Sequence, residues 1–149
     1  SKPRHWTSPG IKMRTILCKG NRKMYIDPIR TAAYYQALTS EDLCSCNYCQ
    51  NFRRHIRTCY PGISLWLHSF GIEADKAMET SPLERDEQGY IEYCGCQYVA
   101  FGFCESDFQH QIGNVVFRKA YSHPHTGITE PHFVLECFPI WLPADEDLL

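Results

Sequence analysis

Three cysteines within six residues, in the run Cys44-Ser45-Cys46-Asn47-Tyr48-Cys49, form the densest concentration of reactive side chains in the chain. Thiolates are soft donors, and structural zinc takes four such ligands at about 2.3 Å in a tetrahedron, commonly supplied as two short-spaced pairs. Cys46 and Cys49 have one familiar chelate spacing, and Cys44 reaches the same point if a helix begins after it. Cys94-Gly95-Cys96 offers a second pair, because residues i and i+2 of a strand share a face and Gly95 leaves room for close approach. Extended backbone holds two such Cα atoms about 6.6 Å apart, so a bend at Gly95 is required. The expectation is no cofactor, and the metal set weighed against it is Cys44, Cys46, Cys49, Cys94 and Cys96, with zinc as the ion and the sheet stapled to a helical hairpin. Two other readings stand beside it. The cysteines also suit a packed helix face with no cofactor at all, which makes the fewest assumptions. A thiol at a helix N-terminus with a partner three residues on also suits redox chemistry, although thioredoxin-like motifs follow a strand and this one follows helix or loop.

Other groups could do chemistry. His123, His125, Glu130 and His132 are the residue types of a metal-assisted hydrolase, but Pro124 and Gly127 mark their segment as a hairpin loop, where polar residues are expected anyway. Arg53 and Arg57 lie one helical turn apart, flanking His55 and Arg54, and that spacing can grip a phosphate or carboxylate. The competing reading is a solvated face that pairs with the acidic loop Glu84 to Glu87. Tyr90, Tyr93 and Tyr98 are expected to form an exposed contact surface, with the sheet core as the alternative. No Gly-rich phosphate loop, nucleophile elbow or His-Glu-x-x-His is present.

The elements that must position these residues follow from caps and periodicity. A Gly20-Asn21 tip between two apolar-containing runs predicts an N-terminal hairpin. Asp27-Pro28 predicts a helix start, with Asp27 as the cap and Pro28 in the first turn. From Leu43, apolar positions at Cys46, Cys49, Phe52, Ile56, Cys59 and Tyr60 recur every three or four residues, predicting a helix from Cys46 with its thiols on the buried side. Pro61-Gly62 ends it, and a second short helix runs to a stop at Gly71. Beyond the loop around Glu84 to Gly89, Tyr90 to Cys104 is β-rich. Val115 to Phe117 and Phe133 to Leu135 are strand cores joined by a Pro, His and Gly containing connection. Cys18, Cys104 and Cys137 sit in apolar contexts and are expected in the core.

The fold class expected is α+β: an N-terminal hairpin and a helical hairpin packed on a C-terminal antiparallel sheet, in one domain over 1–149 with flexible ends near 1–10 and 143–149. A chain of 149 residues can bury roughly 68–70% of its unfolded surface, so neither metal nor disulfide is required for stability. A formal charge of −2 disfavours broad nucleic-acid binding, and no apolar run is long enough for a membrane span. Nine cysteines, an odd number, with no apolar signal-peptide run at the N-terminus, lead to the expectation of reduced thiols in the cytoplasm.

The run Cys44-x-Cys46-x-x-Cys49-Gln50-Asn51-Phe52-Arg53, followed by Ser64-Leu65-Trp66-Leu67-His68-Ser69-Phe70-Gly71-Ile72-Glu73, resembles a bacterial and prophage-associated family of unknown function. Its pattern continues with a Tyr, Gly and aromatic strand and a final strand, here Tyr93 to Gly102 and Cys137 to Leu142. The resemblance covers about Asp27 to Leu142 and implies no activity. Cys94 and Cys96 depart from it, so a zinc site that needs them would be peculiar to this chain. The functional expectation is a cytosolic, non-enzymatic binding or regulatory module of the immunity, antitoxin or anti-defence type with a protein partner. The alternative is a zinc-stabilised, thiol-dependent or metal-dependent enzyme.

Overall fold

The computed structural model describes residues 14–17 and 23–148. The expected hairpin tip at Lys19 to Arg22, the core position Cys18 and the N-terminal end all lie outside those residues. Within them the chain is α+β, with eight strands and three α-helices. Strands β1 (Arg14–Leu17) and β2 (Lys23–Ile26) pair antiparallel, so the two arms of the expected hairpin are present.

Helix α1 (Pro28–Ala37) starts as its sequence requires: the Asp27 carboxylate accepts the Arg30 N–H at 3.0 Å, and Pro28 occupies the first turn. Buried Thr31 and Tyr35 dock the helix on the sheet, Thr31 Oγ1 accepting the Phe101 N–H and Tyr35 donating to the Val99 carbonyl. A short 3₁₀ turn at Ser40–Asp42 leads to α2 (Asn47–Cys59), whose start the cysteine run straddles, and Tyr60 breaks the helical backbone before α3 (Pro61–His68). Gly71, at φ +84°, then turns the chain away.

Tyr90 to Cys104 is extended, but as two strands of different sheets. β3 (Tyr90–Tyr93) pairs with β8 (Ile140–Pro143) in a small second sheet, while β4 (Cys96–Cys104) joins β5 (Gln109–Ile112), β6 (Val115–Lys119) and β7 (His132–Phe138) in a six-stranded antiparallel sheet of order β1-β2-β4-β7-β6-β5. The expected hairpin of Val115 to Phe117 with Phe133 to Leu135 is the β6–β7 pair. Tyr98, Leu135 and Phe117 from the large sheet, Ile91 and Leu142 from the small one, and Phe52, Ile56 and Leu67 from α2 and α3 share one core. Cys104 and Cys137 are buried in it as expected. Among the described residues no helix is long and apolar enough to cross a membrane.

The β2–β4 crossing tolerates only glycine at one position. Gly102 has φ +144°, and a Cβ built there would lie 1.9 Å from the Tyr25 carbonyl oxygen. Gly102→Ala should therefore lower unfolding free energy by about 3 kcal/mol or more, combining backbone strain with a clash that only movement of β2 relieves. Gly113→Ala, at φ +57° in open space, should cost only about 1–2 kcal/mol. Urea denaturation of the two variants checks the ordering, and equal losses would contradict it.

Candidate metal centre

The thiol corner is built by the start of α2. Cys46 is the N-cap residue, in extended backbone, and its sulfur accepts the Cys49 N–H at 3.4 Å. That bond does for sulfur what a Ser or Asp oxygen does at an ordinary helix start. The preceding loop is clamped to the helix: Gln50 donates to the Ser45 carbonyl at 2.8 Å and Arg53 donates to the Cys44 carbonyl at 2.6 Å. Fixing both carbonyls folds Cys44 back over the helix end. The sulfurs of Cys44, Cys46 and Cys49 then lie within 4.8 Å of one another. Thiolates about 2.3 Å from a common ion are nearly in contact, so only a modest contraction closes the set.

Burial divides the three. Cys44 and Cys46 are exposed, whereas Cys49 is buried, its sulfur 3.4 Å from the hydroxyl of buried Thr80. Only Cys49 therefore meets the expectation that the thiols of this helix face inward; Cys59 is also exposed. A helix that begins at Asn47 leaves Cys44 and Cys46 ahead of its first turn, where helical periodicity no longer applies. Partial burial opposes ionisation of Cys46, but the Cys49 N–H, the Cys44 and Cys49 thiols and the Tyr48 N–H all stabilise its thiolate. The net effect is a pKa below the ordinary thiol value. Cys49 goes the other way: burial, only partly offset by Thr80, pushes it up to about 12.

The second expected pair does not join this group. Cys94 lies in the bend between β3 and β4, its N–H bonded to the Ser81 carbonyl and its thiol 3.5 Å from a Glu92 carboxylate oxygen. Burial and the Glu92 charge raise its pKa. Cys96 opens β4, fully buried and directly across from Cys137 in the strand register. Because the two strands belong to different sheets, Cys94 and Cys96 do not share a strand face. Among the described residues the three-thiol group is confined to Cys44, Cys46 and Cys49, all on one short segment, and it does not staple helix to sheet.

The other candidates disperse. Tyr93 and Tyr98 are buried rather than exposed, since each points inward from its strand; Tyr93 donates to the Tyr48 carbonyl and Tyr98 to the Ala74 carbonyl. Tyr90 alone of the three is exposed. Arg53 and Arg57 do not act together, because Arg53 holds the Cys44 carbonyl while Arg57 bonds Glu73 and Asp75. Arg54 bonds Asp145, so the basic face meets Glu73, Asp75 and Asp145 and not the loop at Glu84 to Glu87. His132 bonds Thr126 and the Glu130 carbonyl, His123 bonds the Pro124 carbonyl, and the Glu130 carboxylate pairs with Arg30. These histidines do not form a metal-ligating group among the described residues. Residues that sequence reading did not single out are Thr80, behind Cys49, and Gln50, the loop clamp. Only the polar Gln50 one residue after Cys49 carried any signal.

Compared with protein families, with curated proteins and with solved structures, the chain matches none.

The asymmetry of the two helix-end thiols is measurable. In chelator-treated protein, native alkylation by iodoacetamide should label Cys46 well ahead of Cys49 and Cys96. Raising the pH from about 6 to about 8 should accelerate Cys46 by increasing its thiolate fraction, while Cys49 stays protonated and slow throughout. Peptide mass spectrometry reads the order, and equal labelling of Cys46 and Cys49 would contradict it.

Proposed function

We propose that the chain is a small non-enzymatic binding or regulatory module whose ligand-responsive part is a soft-metal site at Cys44, Cys46 and Cys49. The observation that carries this reading is the convergence of the three sulfurs at the start of α2. The charge around them supports it. The N–H groups of a helix start and the Arg53 guanidinium both favour accumulation of negative charge on the thiolates. Thiolate donors select zinc, monovalent copper and similar soft ions over magnesium or calcium. Bound metal would lock the loop at 43–46 onto α2, and that loop surface is then what a protein partner reads. The module reading draws further support from the groups outside the corner: Arg54, Arg118, His123 and His132 bond to structural groups, and Arg57 and His68, which line an apolar cleft beside α3, both lie against Glu73. The resemblance to a mobile-element family favours a partner of the immunity, antitoxin or anti-defence kind in the cytoplasm, with nucleic acid disfavoured by net charge.

One observation favours a second reading, a thiol-dependent enzyme. An exposed Cys46 with its thiolate stabilised, next to a buried and protonated Cys49, is the arrangement in which one thiol attacks a disulfide and the other resolves it. Catalytic turnover of a small disulfide by metal-free protein would favour that reading over the first.

Protein purified without added metal should carry about one zinc per chain by elemental analysis, and a chelator should lower its melting temperature, because metal that binds only the folded form adds to folding free energy. Cys46→Ser and Cys49→Ser should each remove most of the metal, while Cys94→Ser should leave the stoichiometry unchanged. Metal-free wild-type protein that fails to take up zinc, with chelator-insensitive melting, would overturn the proposal.

A further inference from the structure

Building on the metal-binding reading, we infer that an ion at Cys44, Cys46 and Cys49 keeps its fourth coordination position on the outside of the protein, where it accepts one external soft donor, a thiolate. The geometry points outward. Cys49 is the inner corner of the sulfur triangle, buried against Thr80, whereas Cys44 and Cys46 are both exposed. No fourth Cys, His, Asp or Glu among the described residues lies with the three. The sulfurs that could have come from the sheet are committed elsewhere, Cys94 facing Glu92 and Cys96 facing Cys137. Nor can the loop backbone easily supply the ligand. Arg53 holds the Cys44 carbonyl and Gln50 holds the Ser45 carbonyl, so turning either toward the ion would break its clamp.

Three protein ligands and an exchangeable fourth position is the arrangement of reactive zinc sites, in contrast to closed structural ones. Three thiolates around a divalent ion carry a net charge of about −1. Arg53 and the N-terminal end of α2 lie on the protein side of that charge and offset part of it, which lowers the cost of adding another anion. A soft ion already held by sulfur favours a thiolate over water as the fourth ligand. Binding is ligand exchange: the thiol loses its proton to solvent, the sulfur–metal bond forms and the bound water leaves, with no oxidation or reduction. A free small thiol and a cysteine on a partner share this chemistry, and the open position accepts either.

Cobalt(II) substitution of the full chain tests the inference with light absorption. In thiol-free buffer the cobalt protein should show sulfur-to-metal charge transfer from three thiolates. Titrating 2-mercaptoethanol should raise that band by about one third, the ratio of four thiolates to three, reversibly on removal of the thiol and with the protein monomeric by sedimentation. Cys44→Ser should lower the starting band by about one third. A band that is unchanged by added thiol, or that already reports four thiolates, would overturn the open position while leaving the metal site intact. A four-thiolate band accompanied by dimerisation would assign the position to a second copy of the chain and overturn the inference in the form given. Absence of any charge-transfer band would overturn the metal reading and this inference together.

Discussion

A single buried amide, Asn51, fixes where α2 sits and hence where the thiols point. It is fully buried and uses both ends of its side chain: the nitrogen donates to the Tyr93 hydroxyl and the Pro143 carbonyl, and the oxygen accepts the Asp145 N–H. Tyr93 in turn donates to the Tyr48 carbonyl, between Cys46 and Cys49. Sliding α2 along the small sheet would orphan these groups, each at about 1–3 kcal/mol for an unpaired buried polar atom. The apolar contacts of Phe52 and Ile56 would tolerate a small shift, since hydrophobic contact is not directional. The polar ones would not, and they hold the register of the helix end that carries the cysteines.

The same strand end organises the charges on α2. The segment that follows β8 places Asp145 against His55 and Arg54, with the His55 hydrogen bond foremost in holding the Asp145 carboxyl below its usual range. Arg57 turns to Glu73 and Asp75 beyond α3. Exposed pairs of this kind contribute little stability, about 0–1 kcal/mol each. Their effect is selective: they take up the other positive side chains of α2 and leave Arg53 for the Cys44 carbonyl. A face that reads in sequence as a basic patch is thus divided among three destinations, only one of which concerns the site.

The parts of this molecule that were legible in sequence are those set by neighbours in the chain. Asp27-Pro28, Pro61-Gly62 and Gly71 mark helix boundaries through local caps and turns, and each stands where the spacing places it. The three-thiol group was legible for the same reason, since its members are within six residues. What was hidden depends on pairing across the fold. Tyr93 differs from Tyr90 in which side of β3 it occupies, Tyr98 lies on a strand buried on both faces, and nothing near them in the chain encodes Tyr48 or Ala74 as acceptors. Cys94 and Cys96 belong to the expected set but fall outside the observed group, because a continuous β-rich run does not disclose that the chain changes sheets at Gly95.

The contrast among the cysteines bears on why the corner exists. A thiol kept for packing behaves as a small apolar group, and Cys96, Cys104 and Cys137 are buried in the core as that role demands. Cys44 and Cys46 are not. They bury little apolar surface, their removal would open no cavity, and the core of Phe52, Tyr98 and Leu135 closes without them. An exposed thiol is also chemically vulnerable, the more so when its thiolate is stabilised. Packing therefore explains Cys49 alone. The loop clamps from Gln50 and Arg53 hold the other two sulfurs over the helix end, and bringing thiols together there gains nothing in the fold itself; its physical consequence is a set of donors arranged around a common point.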